Sequence, residues 1–302
     1  IKHHVDYFIG EKGKEWLANR LTDTDDRQPW FFCLSFPGPH HPYDLEGTKY
    51  AGMYSLEDMG PSESSYEDLA QKGPQFRNMG MYSKIYIKDY DEDTFRRTKR
   101  SYYANITLID EKIGEVVDLL KEHDAYDDTV IIYTSDHGDF MGDYGLVEKL
   151  QCLEDSLMRV PLFVKPPVKG FKGTVIDDEV VNIDIAGTCL ELADITPDKK
   201  LSNYSYVPYW DSTQKIRKRP YIYMEAGAIR GILRNGIKTV HYVDRDYGEM
   251  YDLNQDPLER TNIWDDKAYL EQKLENYRCL TDSIYRATPG CDTPWNIGTP
   301  EI

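Results

Sequence analysis

Four side chains that could do chemistry stand where two apolar runs of the sequence stop: His40 and His41 after WFFCLSF, and Asp136 and His137 after TVIIYTS. An imidazole can give or take a proton near neutral pH, so His40 could donate a proton or a hydrogen bond to a leaving oxygen. A carboxylate such as Asp136 and a neutral imidazole such as His137 are both competent ligands of a divalent metal ion. Lys149, in the loop after Asp136 and His137, could hold a transferring anionic group.

Each of these residues also has an ordinary structural explanation. Asp136 could fill a turn or cap the N-terminus of a helix, which Asp does readily. His40 and His41 could lie in an exposed loop, and Lys149 could be a solvated charge. Residue chemistry by itself leaves both explanations open.

The hydrophobic pattern predicts the elements that must position these residues. The continuous apolar run Trp30–Phe36 is typical of a strand buried on both faces, and Pro37-Gly38-Pro39 ends it. Further strands are predicted at 129–135 and 159–167, and helices at 3–21, 93–123 and 183–195. Strands alternating with helices predict an α/β fold with a mostly parallel sheet flanked by helices. In such a sheet the ligand site lies beyond the carboxyl ends of the strands.

Along the long helix at 93–123, the apolar residues recur at intervals of four and three and predict one buried stripe, formed by Tyr102, Ile106, Ile109, Ile113, Val116 and Leu120.

The segment 44–91 shows little periodicity and is predicted to be a long irregular excursion, which is usually functional. Its aromatic residues could stack on a sugar or aryl group, but a satellite hydrophobic cluster is the favoured explanation for Tyr50, Tyr54, Tyr66, Phe76 and Tyr82.

After Pro197 the pattern changes to short strand-like runs separated by turn residues. Asn235-Gly236 is the strongest hairpin signal in the chain. We therefore predict two domains: an α/β core over 1–197, and a small α+β unit over 198–302 with an antiparallel sheet and a terminal helix.

Composition excludes several classes of protein. The net charge of −17 argues against a nucleic-acid surface, and it means that an anionic substrate needs a local cation. No apolar run approaches the ~18 residues of a membrane-spanning helix. The five cysteines show no paired spacing. Because the chain begins at Ile1, with neither Met nor a signal-type segment, we expect it to be part of something longer.

Taken together, these features resemble the sulfatase family of the alkaline-phosphatase-like superfamily. The family pattern is a strand ending in S-D-[HN]-G, a G-x-x-G-L loop, a Lys, and E-x-x-x-R-V-P leading into the next strand. The chain matches it at Ser135–Gly138, Gly142, Gly145-Leu146, Lys149, Glu154 and Arg159–Pro161. The segments FFCLSFPGPHHPYD, VVNIDIAGTCLELADI and EMYDLNQDPLERTNI resemble further family elements in the expected order.

The resemblance implies a role for each residue. Asp136 and His137 would be two ligands of a divalent metal, usually Ca²⁺ and in some relatives Mn²⁺ or Zn²⁺. Lys149 would contact the oxygens of the transferred sulfuryl group, and His40 would protonate or hydrogen-bond the leaving oxygen. Glu154 and Arg159 are expected to have structural roles. The substrate would be a small-molecule or carbohydrate sulfate ester, and a periplasmic or secreted location is favoured.

Two family elements are absent from the sequence. Sulfatases carry C/S-x-P-x-R, whose Cys or Ser is oxidised to the formylglycine nucleophile, and an upstream Asp-Asp pair that completes the metal site. None of the five cysteines has the Pro and Arg at those offsets, and Ser35 lacks the Arg. A smaller departure is Tyr144, where many relatives have His. The chain therefore looks like the C-terminal portion of a sulfatase, with the formylglycine in a missing N-terminal portion.

Three hypotheses remain open at this stage. The first is a sulfate-ester hydrolase of which this chain supplies part of the active site. The second is a phosphonate or phosphodiester hydrolase on the same scaffold. The third is a catalytically inert fragment that folds and binds anions.

Overall fold

The structure, a computed structural model, describes residues 1–23, 28–86, 88–196 and 203–287. The helices are α1 (Val5–Thr22), α2 (Pro74–Tyr86), α3 (Glu92–Glu122), α4 (Asp155–Met158), α5 (Asp184–Leu192) and α6 (Leu270–Ala287). The strands are β1 (Ile131–Thr134), β2 (Leu162–Lys165), β3 (Ile222–Ala226), β4 (Ile229–Arg234), β5 (Ile237–Tyr242) and β6 (Gly248–Asp252).

The chain divides into two compact units that interleave along the sequence. Unit 1 comprises Ile1–Tyr66, Tyr82–Lys149 and Val160–Thr174, and unit 2 comprises Glu67–Met81, Leu150–Arg159 and Val175–Ile302. The predicted domain boundary at residue 197 stays a prediction.

In unit 1 the helices α1 and α3 pack against each other. Asp91 caps α3 by accepting a hydrogen bond from Thr94 N at 2.8 Å, and acidic residues occupy the first turn of the helix. The buried face of α3 matches the predicted stripe in part: Ile109 and Leu120 are buried, but Ile106 is exposed. The face also contains residues outside the stripe: Ala104, Leu108 and Lys112. Lys112 lies on this face because its ammonium pairs with Glu11 of α1 at 2.7 Å, a contact that an apolar pattern does not reveal.

The predicted mostly parallel sheet is not seen among the described residues, because β1 and β2 pair antiparallel, with Ile131 opposite Lys165. A parallel pair needs a crossover that carries the chain back to the starting edge, usually a helix. The connection from β1 to β2 consists of loops, one 3₁₀ turn and the four-residue helix α4, so β2 returns in the opposite direction.

The predicted strand Trp30–Phe36 is wrong in two respects. The segment is not assigned to any ladder, and its side chains alternate between half-buried and exposed rather than being buried on both faces. Phe32 stacks on Trp16 of α1 with ring centroids 4.5 Å apart, whereas Phe31 points away and is 76% exposed. The apolar run thus has one packed face.

The predicted irregular excursion contains helix α2, which the sequence analysis missed. Its signal was Pro74, which occupies the first helical position, where the missing N–H costs nothing. Tyr50 of unit 1 and Phe76 of unit 2 are fully buried, so neither is an exposed stacking platform. The side chain of Tyr82 lies outside the described residues.

Unit 2 contains the predicted antiparallel sheet, with strand order β3-β4-β5-β6. Asn235 and Gly236 join β4 to β5 with φ values of 53° and 77°, the left-handed conformation that an Asn-Gly hairpin turn requires. The predicted terminal helix is present as α6, which packs on β4 and β5. Within the described ranges, no helix is long and apolar enough to span a membrane.

Candidate active site

The turn from Pro37 to Tyr43 carries His40 and His41 at its tip. Asp6 of α1 holds the start of this turn, because its Oδ1 accepts a hydrogen bond from Gly38 N at 3.0 Å. A side chain at Gly38 would collide with the Asp6 carboxylate, so the close approach requires glycine. The turn is therefore anchored to α1, and both histidines are exposed.

Asp136 and His137 lie directly beyond the end of β1. Asp136 Oδ1 accepts from His137 N at 2.9 Å, and no helix begins here, so Asp136 is not a helix cap. His137 Nδ1 lies 2.8 Å from Gly138 O, a hydrogen bond that places the hydrogen on Nδ1 and leaves the Nε2 lone pair available. The Asp136 side chain is 86% exposed.

The loop from Gly138 to Lys149 folds back on itself. Phe140 N donates to Glu148 O at 3.0 Å, and Gly142 N donates to Leu146 O at 2.7 Å. Phe140, Tyr144 and Leu146 are buried beneath the loop. Tyr144 is therefore a packing residue, and its ring meets Phe140 edge to face.

The structure brings His40 and Lys149 into direct contact, with 2.8 Å between His40 Nε2 and Lys149 Nζ. An ammonium can only donate, so Nε2 is the acceptor in this contact and the ring hydrogen is on Nδ1. Nδ1 accordingly lies 2.9 Å from the His41 carbonyl oxygen, its acceptor. This contact places an amine and an imidazole next to each other at an exposed surface.

Asp136 and His137 form a second pair, with 3.6 Å between Asp136 Oδ2 and His137 Nε2. A carboxylate oxygen and an imidazole nitrogen this close together could bind the same divalent ion. The backbone hydrogen bond that fixes the His137 ring is also typical of a ligating imidazole. Among the described residues, no third His, Cys, Asp or Glu completes a metal-binding group, and no hydrogen bond joins this pair to His40 and Lys149.

Glu154 and Arg159 lie in unit 2 and have contrasting surroundings. Glu154 is buried and its Oε2 pairs with Lys72 Nζ at 2.8 Å, which fits the expected structural role. Arg159 is exposed, and its backbone N–H donates to Asp155 O at 3.0 Å.

Comparison with known proteins identifies the family. The sulfatase family model matches residues 4–195 of this chain. The chain belongs to the sulfatase family. A second family model, described as N-sulphoglucosamine sulphohydrolase, C-terminal, matches residues 142–283.

Two curated sulfatases illustrate the relationship. The chain is 30% identical to the choline-sulfatase of Rhizobium meliloti (strain 1021) over 256 residues, which cover 83% of this chain and 49% of that protein. It is 32% identical to an arylsulfatase of Clostridium perfringens (strain 13 / Type A) over 271 residues, covering 85% of this chain and 54% of that protein. The chain thus spans about half the length of these relatives.

Among solved structures, the phosphonate monoester hydrolase of Agrobacterium radiobacter superposes with a TM-score of 0.81 over 94% of this chain and 61% of that chain. The sequence identity is 23%, so this likeness shows the fold alone. This sulfatase-family chain therefore shares the fold of that phosphonate monoester hydrolase.

Sequence reasoning singled out His41 but missed three polar residues near the His40–Lys149 contact: Tyr43, Asp139 and Glu148. Tyr43 OH donates to Asp139 Oδ2 at 2.9 Å, and His41 Nδ1 lies 3.1 Å from Glu148 Oε1. Each of these side chains lies within three residues of a predicted site residue. This closeness along the chain was the signal in the sequence that could have identified them.

Proposed function

We propose that the protein containing this chain hydrolyses sulfate esters and that the chain supplies part of its active site. The observation that carries the proposal is the 2.8 Å contact between His40 Nε2 and Lys149 Nζ, in a chain of the sulfatase family. The two residues are separated by 109 positions, yet both motif positions meet at one exposed place.

The chemistry of sulfate-ester cleavage needs what this place offers. When the S–O bond breaks, the leaving oxygen gains negative charge. His40 would donate a proton or a hydrogen bond to that oxygen from Nε2 of the protonated ring, so Nε2 would give up its acceptor contact with Lys149 in that step. Lys149 would contact the sulfuryl oxygens, where the transition state concentrates negative charge. A local cation matters here because the chain carries a net charge of −17, which repels an anionic ester.

Asp136 and His137 would hold a divalent metal ion, which we take to be Ca²⁺, with Mn²⁺ and Zn²⁺ as alternatives. Such an ion would supply positive charge beside the sulfuryl oxygens. Two donors are fewer than the roughly six to eight that Ca²⁺ takes, so further ligands would come from other parts of the protein.

The nucleophile is proposed to lie outside this chain. None of the five cysteines stands in C-x-P-x-R, and Cys291 also falls outside the described residues. The chain spans about half the length of its curated relatives, which leaves room in the protein for a formylglycine segment. We therefore expect the isolated 302-residue chain to show no turnover.

The substrate class is proposed to be a small-molecule or carbohydrate sulfate ester. The two names that support this choice are choline-sulfatase, for one relative, and N-sulphoglucosamine sulphohydrolase, for one matching family model.

A phosphonate or phosphodiester hydrolase is the second candidate, favoured by the fold likeness to a phosphonate monoester hydrolase. The positive charge of the Lys149–His40 pair would suit a transferring sulfuryl group and a transferring phosphonyl or phosphoryl group alike. A catalytically inert chain is the third candidate, favoured by the missing nucleophile motif.

The deciding experiment assays the intact protein with Ca²⁺ on a matched sulfate ester and phosphonate ester. Sulfate hydrolysis that Lys149→Ala lowers by about 10²–10³-fold would support the proposal. Lys121→Ala, which removes an exposed lysine of α3, is the control and should leave the rate unchanged. Faster phosphonate than sulfate hydrolysis would favour the second candidate, and sulfate hydrolysis that survives Lys149→Ala would contradict the assigned role.

The role of His40 can be tested through the leaving group. His40→Asn should slow the hydrolysis of an alkyl sulfate by about 10²–10⁴-fold, because an alkoxide leaves only when it is protonated. The rate for 4-nitrophenyl sulfate should fall much less, since that phenolate leaves without a proton. His123→Asn, at an exposed helix end, is the control. Equal losses on both esters would show that His40 is not the leaving-group donor.

A further inference from the structure

Asp139 lies two residues beyond His137, and its carboxylate joins three parts of the candidate site. Its Oδ1 accepts hydrogen bonds from Met141 N and from Glu148 N, both at 2.9 Å, and its Oδ2 accepts from Tyr43 OH at 2.9 Å. One side chain therefore bonds the beginning of the loop, the end of the loop just before Lys149, and the turn that carries His40.

The two backbone groups that Asp139 binds belong to residues in a strained conformation. Met141 has φ of 44° and Glu148 has φ of 63°, values in the left-handed region that residues other than glycine rarely adopt. A hydrogen bond to a carboxylate is stronger than one between neutral groups. Asp139 thus stabilises the left-handed backbone conformations of Met141 and Glu148. If Glu148 adopted an ordinary conformation instead, the side chain of the next residue, Lys149, would point in a different direction.

Tyr43 links the Asp139 carboxylate to the turn that carries His40, through the hydrogen bond from its hydroxyl. Burial, followed by the nearby Asp139 carboxylate, raises the pKa of the Tyr43 phenol well above its usual value, so the phenol remains a neutral donor. The half-buried Tyr43–Asp139 bond is better protected from water than the exposed contact between His41 and Glu148, and exposed ion pairs contribute little.

We propose that Asp139 and Tyr43 are positioning residues that fix the His40 imidazole against the Lys149 ammonium. The inference rests on the proposed function in one respect, that His40 and Lys149 form the catalytic pair. Neither Asp139 nor Tyr43 contacts the reacting atoms in this account. Their effect is on the orientation of the two groups that do, and misplacement by about 1 Å can cost about 10²-fold in rate.

The test compares Asp139→Ala, Tyr43→Phe and Asp139→Asn in the intact protein. Asp139→Ala removes all three hydrogen bonds and should lower kcat for an aryl sulfate by about 10–100-fold with little change in KM. Tyr43→Phe removes one bond and should lower kcat by about 10-fold. Asp139→Asn keeps an oxygen for the two amides, so it should recover part of the lost rate.

Two measurements do not depend on activity. In Asp139→Ala, hydrogen exchange of the peptide covering 140–149 should become about 10–100-fold faster, because two amides lose an ionised acceptor. A crystal structure of that variant should show Lys149 Nζ withdrawn from His40 Nε2. Asp118→Ala on α3 and Tyr103→Phe, an exposed tyrosine, are the matched controls and should retain wild-type exchange and kcat.

The outcomes separate this inference from the proposed function. Unchanged kcat in a folded Asp139→Ala protein, or an unchanged His40–Lys149 contact in its crystal structure, would overturn the positioning role. If the wild-type protein hydrolyses no sulfate ester, the proposed function fails, and the exchange rates and variant structure still decide whether Asp139 fixes the pair. Loss of the contact together with loss of kcat, and partial recovery in Asp139→Asn, supports the inference.

Discussion

Charged side chains occur in two regions of this protein in opposite surroundings. In unit 1, His40, Lys149 and Asp136 are exposed at the candidate site. In unit 2, Lys72 and Glu154 are 0% and 4% exposed as side chains, although they carry the same kinds of charge. The two regions differ in how many partners each charged group has, and this difference separates buried charges from reactive ones.

In the buried region the charged groups are surrounded by partners. Lys72 Nζ donates to Glu154 Oε2 at 2.8 Å and to Glu259 O at 2.6 Å. Lys238 Nζ donates to Leu153 O at 2.9 Å and to the Asp155 carboxylate. It also lies 2.5 Å from Glu259 Oε1, a contact that is not a well-directed hydrogen bond. A buried charge without such partners would be strongly destabilising.

The exposed region leaves its groups partly available. Asp136 Oδ2 and His137 Nε2 have each other at 3.6 Å, a separation too long for a hydrogen bond. Water can solvate such groups until a metal or substrate displaces it. We conclude that the buried charges stabilise unit 2, whereas the exposed charges of the candidate site can exchange one partner for another.

The largest expected effect is on the free energy of unfolding, and it distinguishes the buried Lys72 from the exposed Lys149. Lys72→Met should lower the free energy of unfolding by about 3–5 kcal/mol, because Glu154 would remain buried without its cation. Lys149→Met is the matched control and should change that free energy by less than about 0.5 kcal/mol, as an exposed substitution. Urea unfolding of the chain measures both.

A double variant sharpens this prediction. Lys72→Met combined with Glu154→Met removes both charges and should be more stable than Lys72→Met alone, since no unpaired carboxylate remains. If the double variant lost stability additively, the pairing explanation would be wrong.

The sequence predicted most of the regular elements that have a local pattern. The periodic helices α1 and α3 and the Asn235-Gly236 hairpin follow from spacing and turn chemistry, and the structure confirms them. The family resemblance, carried by short motifs, is also confirmed.

Features that depend on distant residues were out of reach of the sequence. Lys72 bonds to groups 82 and 187 positions away, and nothing near Lys72 in the sequence indicates such partners. The direction of β2 is likewise fixed by a connection without a crossover helix rather than by the strand's own residues. At the candidate site, the motif pointed to His40 and Lys149, but the bonds made by Asp139 required coordinates.

The second prediction concerns pH and the buried region. Burial, together with the nearby Glu154 carboxylate, raises the pKa of Glu259 from 4.5 to about 8, although Lys238 and Lys72 act in the opposite direction. A folded-state pKa above the unfolded value means that the folded state binds the proton more tightly, so the contribution of Glu259 to stability is fully present below about pH 4.5 and is lost as pH rises toward 8. The expected loss between pH 5 and 8 is about 2–4 kcal/mol.

Urea unfolding at a series of pH values measures this loss. Glu259→Gln should flatten the dependence, because the titrating carboxyl is gone. Glu271→Gln, which removes an exposed carboxyl of α6, is the control and should keep the wild-type slope. A wild-type stability that stays constant or rises from pH 5 to 8 would contradict the buried-proton explanation.

The smallest expected effect belongs to the exposed region and tests whether its incomplete pairing serves a metal. Asp136→Asn keeps an oxygen that can accept from His137 N, so the backbone at the end of β1 should be unchanged. It removes only the negative charge, and charge count among the ligands sets the affinity of an oxygen site for Ca²⁺. Calorimetry on the intact protein should therefore show affinity for Ca²⁺ weakened by about tenfold, or about 1.4 kcal/mol. Asp118→Asn should leave that affinity unchanged, and an Asp136→Asn protein with wild-type affinity would mean that the exposed carboxylate is not a ligand.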